Sequence, residues 1–198
     1  MYRIFLTALS ISLIALASGC VSRPGETGAA IVHDLGLPAT PGSAMSPLPL
    51  RRVEVIGAPA LSGLAMQYRY AEDQTTRRLS YADNRWSATP AQLVESQLAR
   101  MLSGAAGVGR CKLTVKLDEF VQVFARDGSS IGYAAGSMVL GGERADEVLA
   151  QKAFEIRNAA TSADPSAGAL ALRGATERIA KDAATWLAAQ DAKRCTPG

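Results

Sequence analysis

The chain has 198 residues, 48% of them hydrophobic and 20% charged, with a formal net charge of +3. That composition fits one globular domain of ordinary size and excludes a disordered chain; the weak, dispersed charge excludes a nucleic-acid partner recognised by a basic surface. A single histidine, His33, and three cysteines exclude multi-histidine and four-cysteine metal sites, so neither a metal nor a cofactor is expected.

The first residues form a leader. Met1-Tyr2-Arg3 is short and positive, Ile4 to Ala17 is an uncharged run of 14 residues, and Ser18-Gly19-Cys20 closes it with small residues. This is the order of a secretory signal peptide, assigned to residues 1–19. At ~1.5 Å rise per residue the apolar run would span roughly 21 Å as a helix, short of the ~30 Å hydrocarbon core.

Leu16-Ala17-Ser18-Gly19-Cys20 resembles the lipobox of bacterial lipoproteins, with Ala17 at the place where leucine is commonest and Leu16 one residue further back. The resemblance implies cleavage after Gly19 and acylation of Cys20, the palmitate-type anchor of a membrane lipoprotein. At ~0.8 kcal/mol per buried CH₂, two or three acyl chains hold a protein on a bilayer almost irreversibly. Val21 stands where enteric lipoproteins retained at the inner membrane carry Asp. The expected location is therefore the periplasmic face of the outer membrane. With Cys20 acylated, Cys111 and Cys195 remain as an even pair in an oxidising compartment. A disulfide between them would close a loop of roughly 84 residues, worth ~4.5 kcal/mol in the chain-entropy model; the other reading is two unrelated buried thiols.

Residues 20–49 are rich in Gly, Pro, Ser and Ala and read mostly as a flexible tether, with a run near 30–35 able to form a short strand before Gly36. The domain proper is assigned to 50–198. Arg51 to Ile56, Met66 to Tyr70 and Arg78 to Ala82 alternate as half-buried strands, the last two linked by the polar stretch Glu72 to Thr76. Thr89-Pro90-Ala91-Gln92 is a capping box that opens a helix to about Leu102. Val94, Leu98, Met101 and Leu102 keep the apolar face of that helix, while Leu93, Gln97 and Arg100 drift off it. Gly104, Gly107 and Gly109 end it.

Cys111 to Phe124 is the strongest strand, with Leu113, Val115, Leu117, Val121 and Val123 on one face and Glu119 the intruder among them. Asp127-Gly128 marks a turn into a strand over Ile131 to Leu140. Helix and strand compete over Glu147 to Ala159; strand is chosen. Asp164-Pro165 opens a long helix to about Ala192, with Leu172, Ala175, Ile179, Ala183 and Trp186 at helical spacing. The order of elements predicts an α+β fold: a mostly antiparallel sheet with two helices packed on one face.

With those elements in place the sequence resembles the ABC-type transport auxiliary lipoprotein family over roughly Ile31 to Leu187. The carrying stretches are His33 to Gly36, Val53 to Pro59 (VEVIGAP), Met66 to Arg69 (MQYR), Leu79 to Trp86 (LSYADNRW), Leu117 to Phe124 (LDEFVQVF) and Ala184 to Leu187 (ATWL). The resemblance implies a non-catalytic auxiliary component of an ABC-type intermembrane lipid transport system. Its partners would be the membrane, through the lipid anchor, and a periplasmic protein of the mammalian-cell-entry type. The family is compatible with a homo-oligomer. The alternative is an envelope lipoprotein with a structural or assembly role, independent of an ABC system.

Four residues are candidates for partner contact. Arg85 and Trp86 are of the types enriched in interface hot spots, although Trp86, just before the cap, suits packing beneath the helix start. Phe120 and Phe124 give the long strand a second apolar face, to be covered by a helix or loop of the chain itself or by a partner. Catalysis is not expected. His33 sits in the tether and no Gly-x-Ser-x-Gly elbow occurs. Glu119, the one inward carboxylate considered as an acid, is equally a carboxylate paired with Lys or Arg.

Overall fold

A computed structural model describes residues 29–37, 44, 46–71, 76–102, 109–144 and 146–196. Two units are distinguished, Met1–Ala30 and Ile31–Gly198. The leader, Cys20, most of the tether, the link residues 72–75, and Gly104 and Gly107 lie outside the described residues.

The second unit is an α+β domain. Its elements are β1 (Ile31–His33), β2 (Leu50–Gly57), β3 (Ala65–Tyr70), β4 (Leu79–Trp86), α1 (Pro90–Leu102), β5 (Cys111–Phe124), β6 (Ser130–Gly141), β7 (Val148–Ala159) and α2 (Pro165–Ala188), with short 3₁₀ turns at Pro59–Leu61 and Ala192–Arg194. The seven strands form one sheet in the order β1-β4-β3-β5-β6-β7, with β2 also paired to β5. The contested segment before α2 is a strand throughout, its Phe154 and Ile156 buried and the residues between and beside them exposed.

Antiparallel pairing dominates through the long ladders β5–β6 and β6–β7, as the hairpin turn at Asp127-Gly128 requires. Gly128 takes φ +82°, and the Asp127 carboxylate accepts from the Ser129 amide at 2.9 Å. Three further pairings are parallel: β1 with β4, β2 with β5, and β3 with β5. Because β6 occupies one edge of β5 along its length, β2 and β3 share the other edge, β2 beside Cys111–Leu117 and β3 beside Gln122–Phe124.

Both helices cover the same face. Thr89 and Gln92 close the predicted capping box: the Thr89 amide donates to Gln92 Oε1 at 3.1 Å and the Gln92 amide to Thr89 Oγ1 at 3.4 Å. The N-terminus of α2 is capped by Asp164, whose carboxylate accepts from the Ala167 amide at 2.9 Å. Small residues let α2 lie close to the sheet. A side chain at Gly132 of β6 would meet the backbone of Ala171 and Leu172 at 2.6 Å. One apolar core then joins Val94, Leu98 and Met101 of α1, Leu172, Ile179 and Leu187 of α2, and the strand residues beneath them.

Three expectations need correction. First, the compact unit begins well before residue 50: Leu35, Ala44 and Leu48 are buried in the core, so part of the stretch read as tether is domain. Second, Gln97 is on the buried face of α1, 4% exposed, because its amide donates to the carbonyls of Leu35 and Gly36 and holds the segment after β1 against the helix. Third, β5 does not keep one alternation. The β5–β6 register shifts between Leu117 and Glu119, a bulge that exchanges the two faces for every residue beyond it. Phe120 and Gln122 thereby join Leu113, Val115 and Leu117 under the helices, and Glu119, Val121 and Val123 turn to the opposite face.

Candidate functional site

The bulge settles what covers the two phenylalanines. Phe120 is 1% exposed and packs against Trp86, with ring centroids 5.7 Å apart. Trp86 is itself 1% exposed and edge-on to His33. Neither can touch a partner from inside the core, which removes both from the set of candidate contact residues. Phe124 is half-buried in an aromatic group with Tyr68 and Tyr70, at centroid distances of 5.7 and 5.6 Å. Of the four, only Arg85 is exposed.

The cysteine pair is joined. Cys111 and Cys195 form a disulfide with Cα atoms 4.9 Å apart, and both residues are fully buried. The Arg110 amide donates to the Cys195 carbonyl at 2.9 Å, so the tail after α2 is fixed to the start of β5. Arg194 pairs with Glu147 at 3.0 Å across the same corner.

Under the helices, Gln122 is a buried polar residue with every group matched. Its amide donates to Ser130 Oγ at 2.8 Å and to the Asp164 carbonyl at 3.1 Å, and its Oε1 accepts from the Tyr81 hydroxyl at 2.8 Å. Burial, with Tyr68 and Tyr70 nearby, pushes the Tyr81 phenol well above its ordinary range, so it stays a donor at all physiological pH. A satisfied network of this kind specifies packing and leaves no group for chemistry.

On the face turned away from the helices a groove of about 410 Å³ crosses the ends of β3, β5, β6 and β7. Arg69, Tyr70, Glu119, Val123, Ile131 and Arg157 are among its lining residues, together with Tyr133. Arg69, Glu119, Val123, Ile131, Tyr133 and Arg157 reach this face by strand alternation, Glu119 and Val123 because of the bulge, whereas Tyr70, next to Arg69 on β3, turns its ring the other way against Tyr68 and Phe124. Glu119 Oε1 accepts from both Arg69 Nη2 and Arg78 Nη2 at 2.8 Å, which makes it an arginine-paired carboxylate and not the inward acid considered from sequence. Arg157 pairs with Glu155 and stacks over the Tyr133 ring, its guanidinium carbon 5.4 Å from the centroid. Partial burial, and then Glu155, raise the Tyr133 phenol above its usual range against the opposing pull of Arg157. Three guanidiniums and two carboxylates over an apolar floor can bind charged or amphipathic groups. No acid–base pair is aimed at a common point among these residues.

Sequence reasoning missed this groove. Arg69 and Arg157 read as solvated positions of separate strands, and Glu119 and Val123 as members of the inward face of β5. Only the pairing brings them together. A second, smaller recess of about 220 Å³ lies between residues 34–37 and α1, beside Gln97, whose Oε1 has no hydrogen-bond partner. Among the described residues no helix is long and apolar enough to cross a membrane, and no cluster of His, Cys, Asp and Glu suited to a metal occurs.

The fold defines a class: an α+β domain with a mixed seven-stranded sheet covered on one face by two helices. Solved structures share it. One is a Xanthomonas campestris protein of the DUF330 family, matched with a TM-score of 0.66 and 15% identity over 79% of this chain and 94% of that one. Another, an uncharacterised protein, matches with a TM-score of 0.61 and 14% identity over 81% of this chain and 99% of that one. No protein-family model matches the sequence, and no curated protein does.

Proposed function

We propose that this chain is a lipoprotein anchored through acylated Cys20 at the periplasmic face of the outer membrane, acting as a non-catalytic auxiliary component of an ABC-type intermembrane lipid transport system. The reading rests on the family resemblance and on the leader ending in Leu16-Ala17-Ser18-Gly19-Cys20. The observation that supports it most is the pairing of the other two cysteines, Cys111 with Cys195. It uses up the thiols that lipidation would leave over, and it suits an oxidising compartment. The α+β domain would be the part presented to a periplasmic protein of the mammalian-cell-entry type.

Affinity isolation of the tagged full-length lipoprotein from cross-linked membranes tests the reading. Enrichment of a mammalian-cell-entry-type protein with its permease and ATPase is the expected result, alongside increased envelope permeability in a deletion strain. Isolation without any of these, with a deletion strain that lacks a surface glycolipid instead, would overturn it in favour of an assembly factor.

A further inference from the structure

We infer that the groove across β3, β5, β6 and β7 is a docking site for an acidic, extended segment of a protein partner, with an apolar side chain seated between flanking carboxylates. This deepens the proposed function by giving the partner a surface and a chemistry, and it rests on that reading only for the partner's identity. The length fits. Three strand intervals separate β3 from β7, and at ~4.8 Å each they span about 14 Å, which an extended segment covers with about four residues at ~3.3 Å apiece.

The charge fits as well. Arg69 and Arg78 converge on Glu119, Arg157 pairs with Glu155, and exposed Lys116 lies further along the same face. Arg157 is the most available of these: its side chain is 67% exposed, and only its Nε and Nη2 donate to Glu155. The remaining donors of its five-proton fork can take a carboxylate in two-point contact. Between the guanidiniums lie Val123, Ile131 and the ring of Tyr133, a floor suited to one apolar side chain. Tyrosine and arginine together are the residue types that dominate protein–protein hot spots.

The test uses full-length lipoprotein purified in detergent and a fluorescein-labelled hexapeptide of sequence EEFLEE, with KKFLKK as control, read by fluorescence anisotropy. The acidic peptide is expected to bind, to bind at least tenfold more weakly to R157E and to I131E, and to weaken in high salt. L170E, a change at an exposed position of α2, should leave binding unchanged. Unchanged thermal melting of each variant confirms that it folds. Absence of binding, or equal binding by wild type and R157E, overturns the proposal. So does displacement of the peptide by phosphatidylglycerol vesicles, which would make the occupant a membrane surface. Co-isolation separates the two readings. A partner retained equally by R157E sinks the groove and spares the proposed function. A wild-type protein that binds EEFLEE yet brings down no transport component does the reverse.

Discussion

Between Leu117 and Glu119 the β5–β6 register slips by one position, and the side chains beyond it change sides. The consequence is measurable at Phe120, which fills the core against Trp86. Phe120→Ala should lower unfolding free energy by ~3–5 kcal/mol, the usual cost of a cavity left by a buried ring, as read by urea titration. Glu119→Ala acts differently. It leaves two partly buried guanidiniums without their shared acceptor, and a loss of ~1–2 kcal/mol is expected after allowance for solvent screening. A bulge has no strong single-residue signal, so Glu119 read as an intruder in an apolar face and the phenylalanines as a second apolar face. Gln97 was misplaced for a related reason: a glutamine looks solvated until the carbonyls of Leu35 and Gly36 are brought to it.

At the scale of elements, helix starts were the most legible feature. Thr89 with Gln92, and Asp164 before Pro165, announce themselves through local chemistry and form as expected. Long strands were legible through alternation, including β7, where helix and strand competed. Their partners were not. Nothing local tells β2 and β3 to lie parallel on one edge of β5, because that pairing is decided by core filling between residues far apart in sequence.

The cap on α2 carries a pH dependence. The Ser162 hydroxyl and then the Ala167 amide hold the Asp164 carboxyl below its ordinary range. A depressed carboxylate adds stability that is fully present above its unfolded pKa of about 4 and is lost as pH falls through the lower folded value. Asp164→Asn keeps the cap and removes that ionisation. Denaturation curves between pH 2 and 6 should therefore show a steeper acid loss for wild type than for the asparagine variant, and the two should run parallel above pH 5.

For the whole molecule, composition gave the class and the elements gave the α+β architecture, while the domain's beginning was missed. The Pro-rich, Gly-rich stretch looked like spacer, yet Leu35, Ala44 and Leu48 contribute to the core. The Cys111–Cys195 bridge spans a sequence separation of 84 residues, worth ~4.5 kcal/mol in the chain-entropy model. Cys111→Ser/Cys195→Ser should lower the denaturation midpoint accordingly. Both sulfurs are buried, so mild reductant without denaturant should leave the folded wild type intact.

The most direct check on the proposed role is intact-mass and peptide mass spectrometry of the mature protein extracted from outer-membrane fractions. The account predicts a chain beginning at Cys20, carrying diacylglycerol with or without a further amide-linked acyl chain, and absent from that fraction in Cys20→Ala. An unprocessed chain still starting at Met1, or an unmodified Cys20 in a protein recovered from the cytosol, would contradict it.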